Sequence, residues 1–182
     1  MKRGVGMVNK ELLDKIIRKS DICKFECTFD DISGVPVKYN EKYIMVNIYE
    51  DFQFDGFCIF DITEIENICY DETYEFINHI CKEEKIYQSK AENINIENFI
   101  NVFNYFKDNE ENIIVECGEY DDEDYSFSIG KVEKVTEKYI EIKYFDYMAK
   151  WDEDEFDMVY YDDISVVSFG KRYIKYMSKY TH

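Results

Sequence analysis

The chain has 182 residues, of which 46% are apolar, with one proline and seven glycines. That is enough apolar material for a folded core and too little glycine and proline for long linkers, so neither a disordered chain nor a string of loosely tethered modules is expected. Forty acidic residues against 22 basic ones give a net charge of -18, and no apolar run reaches the roughly 18 residues a membrane-spanning helix needs.

The first predicted element is a helix in which Leu12, Leu13, Ile16 and Ile17 form one apolar stripe behind Asn9 as N-cap. Five short strands follow, near 24–29, 34–39, 42–49, 56–62 and 65–70. The clearest is the third, where Ile44, Val46 and Ile48 alternate with Met45 and Asn47. Residues 71–82 then read as a helix with Tyr74, Ile77, Ile80 and Cys81 on one side and Asp71 as cap. A third helix is predicted over 94–107, with Phe99, Val102, Phe103 and Phe106 as its stripe. Strands follow near 113–118, 127–136, 138–146, 155–161 and 164–169, and a closing helix over 171–180. Gly34, Gly56, Gly118, Gly130 and Gly170 mark bends.

This order repeats itself. Glu41-Lys42-Tyr43-Ile44 returns as Glu137-Lys138-Tyr139-Ile140, 96 residues later. Phe60-Asp61-Ile62-Thr63-Glu64-Ile65 aligns with Val159-Tyr160-Tyr161-Asp162-Asp163-Ile164 at an offset of 99, and Phe25-Glu26-Cys27 with Val115-Glu116-Cys117 at 90. The growing offsets place the extra residues in acidic connections near 121–124 and 151–155. Three matches in order, each with the same apolar phase, predict two copies of one unit, over 1–90 and 91–182. The expected fold class is mainly β with flanking helices (α+β). It comprises two tandem five-stranded small barrels, each preceded by a helix, because a curled sheet protects its edges.

A helix followed by five strands, the second of them bent, resembles the Sm-like version of the SH3-type small barrel. Val115, Gly118, Gly130, Val132 and Val135, then Tyr139-Ile140-Glu141-Ile142 and the closing Asp162-Asp163-Ile164-Ser165-Val166-Val167, carry the likeness. It covers roughly 60 residues of the second copy and fewer of the first. Sm-like proteins bind RNA with an aspartate and an asparagine after the second strand and an arginine-glycine pair before the last. Here those places read Thr136-Glu137-Lys138 and Tyr161-Asp162-Asp163. The resemblance thus implies the fold and argues against RNA binding.

The charge is unevenly spread. Residues 1–20 and 171–180 each sum to +4, leaving -26 on 21–170. Such a middle repels nucleic acid and anionic membranes and attracts a basic protein. It also serves solubility. The sequence shows no secretory apolar segment at its start, so a cytoplasmic location with reduced thiols at 23, 27, 58, 69, 81 and 117 is expected. Cys23 and Cys27 have no second close pair to complete a zinc site, so buried thiols are the expectation and no metal or other cofactor is assigned.

No phosphate-binding loop, nucleophile elbow or zinc-protease helix is present, and His79 and His182 are the only histidines. The chain is therefore expected not to be an enzyme. Aromatic residues, at 18% of the chain, either anchor a protein surface or fill the seam between the two copies. Tyr120, Tyr125, Tyr147, Trp151, Tyr160 and Tyr161 are the candidates for exposure.

The candidate partner-binding residues are Asp121, Asp122, Glu123, Asp124 and Tyr125 in one connection. Trp151, Asp152, Glu153, Asp154 and Glu155 are those in the other. In composition the chain is similar to the small acidic immunity proteins that neutralise bacterial toxins. That similarity implies a protein-binding module that occludes the active site of a basic partner. The alternatives are an Sm-like or SH3-like oligomerising scaffold without RNA binding, and an enzyme with an unmotifed small-molecule or metal site.

Overall fold

A computed structural model describes residues 8–91, 93–119, 123–153 and 155–182. The chain divides into two compact units, Met1–Glu92 and Asn93–His182. It is mainly β, with ten antiparallel strands and four helices among the described residues.

The first unit opens with α1 (Lys10–Lys19), where the Asn9 side chain accepts the Leu12 amide at 3.1 Å. Its Leu13 and Ile16 are fully buried. The strands are β1 (Cys23–Cys27), β2 (Ile32–Tyr39), β3 (Tyr43–Glu50), β4 (Gln53–Asp61) and β5 (Ile65–Cys69), with a 3-10 turn at Ile62–Glu64. They lie in the order β5-β1-β2-β3-β4. The unit closes with α2 (Glu72–Glu83), capped by Asp71. Tyr74, Ile77 and Cys81 of α2 pack on Ile22, Val35 and Tyr49. Asn78, on that apolar side, is buried, accepting the Ile22 amide at 2.7 Å and donating to the Ile22 carbonyl at 2.9 Å. Its side chain thus pairs backbone groups that would otherwise be buried unpaired. Asn47, fully buried, donates to the Gly56 carbonyl and accepts from the Ser89 amide.

The second unit contains α3 (Phe99–Asp108), β6 (Asn112–Cys117), β7 (Ser126–Val135), β8 (Tyr139–Tyr144), β9 (Asp157–Tyr160), a 3-10 turn at Tyr161–Asp163, β10 (Ile164–Phe169) and α4 (Arg172–Met177). Its strand order is β10-β6-β7-β8-β9. The four aromatic and aliphatic residues expected as the α3 stripe are all buried. Phe106 meets Phe169 at 4.9 Å between centroids, and Phe103 stacks on Tyr161 at 5.9 Å.

The two units share three hydrogen bonds at the same turn. In the first, Asn40 Oδ1 accepts the amides of Lys42 and Tyr43, and the Asn40 amide donates to the Tyr43 carbonyl. In the second, Thr136 Oγ1 accepts the amides of Lys138 and Tyr139, and the Thr136 amide donates to the Tyr139 carbonyl. Gly34 and Gly130 are equivalent too. A Cβ on Gly34 would overlap the Asn47 carbonyl oxygen, and one on Gly130 the Lys143 carbonyl oxygen. Bent strands cross so closely there that only glycine fits.

Two expectations need correction. The sheets are open where closed barrels are expected. Among the described residues no pairing joins β4 to β5 or β9 to β10, because the 3-10 turn redirects the chain and the last strand takes the first strand of its unit as partner. The helix expected over 94–107 starts only at Phe99. Ile94 and Ile96 are buried while 93, 95 and 97 are exposed, a period-two pattern of extended chain. Asn98, itself extended, caps the helix by accepting the Asn101 amide.

Candidate acidic protein-binding surface

The candidate residues lie on the two connections that follow β6 and β8. The pairs Cys117↔Ser126, Gly130↔Tyr144 and Ile142↔Asp157 fix where these connections emerge. β6 and β8 run parallel to each other on either side of β7, so both connections leave the same end of the sheet. Ser128 on β7 donates to the Asp157 carboxylate at 2.7 Å and ties that end together.

Asp121, Asp122, Asp154 and Tyr120 lie outside the described residues. Glu123, Asp124 and Glu155 are exposed and have no lysine or arginine partner among the described residues. Asp152 is exposed, and its side chain accepts the Glu155 amide at 3.3 Å. Glu153 pairs with Lys143 at 3.0 Å. Such an exposed pair contributes about 0–1 kcal/mol, so a partner's cation could replace Lys143 at small cost.

The aromatic candidates divide. Tyr147 is 83% and Tyr160 48% exposed. Trp151 is half-buried, edge-on to Phe145 at 5.3 Å, with the Lys143 ammonium 5.4 Å from its ring. Tyr125 is half-buried and donates to Glu116 at 2.7 Å. Tyr161, expected at the surface, is half-buried on Phe103 and donates to the Thr136 carbonyl. Sequence reasoning missed Phe127, Met148, Phe156 and Met158, all exposed on or beside these connections. The signal for Met158 was present, since Val159 between Met158 and Tyr160 is the one apolar residue whose strand phase points inward.

The remaining chemical candidates are dispersed. His79 is exposed while Cys81, two residues on, is buried beside the Tyr49 hydroxyl. All six cysteines are free thiols. Burial pushes the Cys23, Cys27 and Cys117 thiols above their ordinary value, and Tyr49 is pushed up to about 12 by burial and then by its bond with Cys81. Protonated thiols are poor nucleophiles and poor metal ligands. Among the described residues no group of three or more His, Cys, Asp or Glu could hold a metal ion, and no helix is long and apolar enough to cross a membrane.

No protein-family model, curated protein or solved structure matches the chain.

Proposed function

We propose that the chain is a non-enzymatic, acidic protein-binding module that meets a basic partner through the second unit. By this reading it acts as an immunity-type protein, its carboxylates occupying a cationic active site built for phosphate groups. One observation carries it: both acidic connections leave the same end of one sheet, bearing exposed Glu123, Asp124 and Glu155, which have no lysine or arginine partner among the described residues, and exposed Tyr147, Met148 and Phe156. Aromatic anchors ringed by charge are what a protein interface needs, and a one-signed field accelerates encounter with the opposite sign. Each unit would be of the SH3/Sm-like small-barrel type. The strand order and the 3-10 turn before the last strand support that reading.

The test begins with affinity capture on the full chain from its native host. Association with the captured partner is then measured against a variant with lysines at 123, 124, 152, 153 and 155. The expected outcome is an association rate lower by about tenfold or more, with a flatter dependence on salt. Unchanged kinetics would refute the reading.

A further inference from the structure

We infer that the free edge of β9 takes up an extended strand of the partner, apolar in its middle and lysine- or arginine-rich at both ends. This rests on the acidic-module reading and specifies how that module grips.

The backbone parity is fixed by neighbouring bonds. The Tyr161 amide donates to the Lys138 carbonyl at 3.1 Å, which turns that residue toward β8. Residues two apart on an antiparallel strand face the same neighbour. Val159 and Asp157 therefore also turn to β8, with which β9 pairs without a register shift. Met158 and Tyr160 are left presenting N–H and C=O groups at the edge, where β9 ends the sheet. Their side chains are 52% and 48% exposed.

In the first unit the terminal strand β5 is guarded. Its ladder with β1 is broken by a bulge at Glu26/Cys27, Glu66 stands exposed on it, and Thr28 bonds to Glu64 at its start. Bulges and charges of this kind are how proteins blunt sheet edges. Nothing within Met158–Tyr160 does so: the stretch holds no charge, no proline and no bulge.

The flanks decide the occupant. From Asp152 to Asp163 the sequence has seven carboxylates and no lysine or arginine. A second copy laid along β9 would set carboxylates against carboxylates. A strand with cationic ends would gain ion pairs at both ends and backbone hydrogen bonds between, the pattern of strand addition.

The experiment uses the full chain and a synthetic peptide of alternating threonine and valine with two lysines at each end. Its control is a twin of equal charge, N-methylated at alternate backbone nitrogens. We expect the peptide to bind about tenfold tighter than its twin and to slow hydrogen exchange at the Met158 and Tyr160 amides. Met158→Pro should lower peptide affinity about tenfold with little change in the unfolding midpoint, because an edge-facing N–H has no partner to lose. Equal binding of peptide and twin overturns the inference while leaving an acidic surface that attracts cations by charge alone. No binding of either peptide also overturns it, and the charge-reversal kinetics then judge the broader reading separately. A dimer seen by native mass spectrometry and lost in Met158→Pro would give the edge to a second copy, which is a third way for the inference to fail.

Discussion

The two units share a strand order and a turn, yet they spend their side chains differently. The first turns polar groups inward: Asn47 and Asn78 are buried, and Asp21, buried, accepts from Tyr70 at 2.6 Å and from Lys82 at 2.8 Å. Among the described residues it exposes three large apolar side chains, Phe52, Phe76 and Tyr87, none of them adjacent in sequence. The second exposes nine, and five of these (Phe127, Tyr147, Met148, Phe156 and Met158) lie on or beside the acidic connections. Buried polar networks fix a unique packing, while exposed apolar groups add nothing to stability and invite partners. One backbone plan thus carries a unit built for definition and another built for contact.

The strongest way to break this comparison is at the common glycines. Gly34→Ala and Gly130→Ala each drive a methyl into a backbone carbonyl, which cannot rotate aside. A loss of about 3 kcal/mol or more is expected for each, read from urea unfolding. A loss at one glycine alone would deny their equivalence. Next in size is Asn78→Leu, which leaves the Ile22 N–H and C=O buried without their side-chain partner. It should cost about 2–3 kcal/mol.

Alkaline pH sharpens the contrast. In the unfolded chain a thiol ionises near its ordinary 9.0, whereas burial holds Cys23 and Cys27 protonated well above that value. Their raised folded values mean this stability is whole below pH 9 and drains as pH rises toward them. Each thiol removes up to about 1.4 kcal/mol per pH unit in that window. Cys23→Ala and Cys27→Ala should flatten the decline in the urea midpoint between pH 9 and 10.5. The smallest effect belongs to the acidic connections. Lysines at 123, 124 and 155 should move stability by no more than about 0.5 kcal/mol, while slowing association with a basic partner.

Much of this was legible in the letters. Alternation placed Ile44, Val46 and Ile48, and Ile140 and Ile142, in strands; β8 shows the period two of a half-buried pleat, whereas β3 is buried on both faces, Met45 and Asn47 as fully as Ile44 and Val46. Asn78 was hidden, since an amide on an apolar stripe reveals its bonds only when the opposing backbone is in place. The early start expected for α3 failed because Ile94 and Ile96 supply apolar residues without helical spacing, and the helix begins at Phe99, five residues after 94, behind Asn98 as its cap. Barrel closure could not be read, because which neighbour a terminal strand chooses depends on the turn before it. For the candidate surface, charge pointed to two connections, and the structure brings both out at the same end of one sheet. Exposure of individual aromatics depended on tertiary neighbours such as Phe103 under Tyr161 and Phe145 beside Trp151.

The turn shared by Asn40 and Thr136 carries one more consequence. An amide oxygen in one unit and a hydroxyl oxygen in the other receive the same two amides. The demand there is for an acceptor at a fixed point in space, and the residue supplying it is free to change. Letter-by-letter comparison of the halves therefore understates their likeness, and a tally of which atoms receive which amides would recover it.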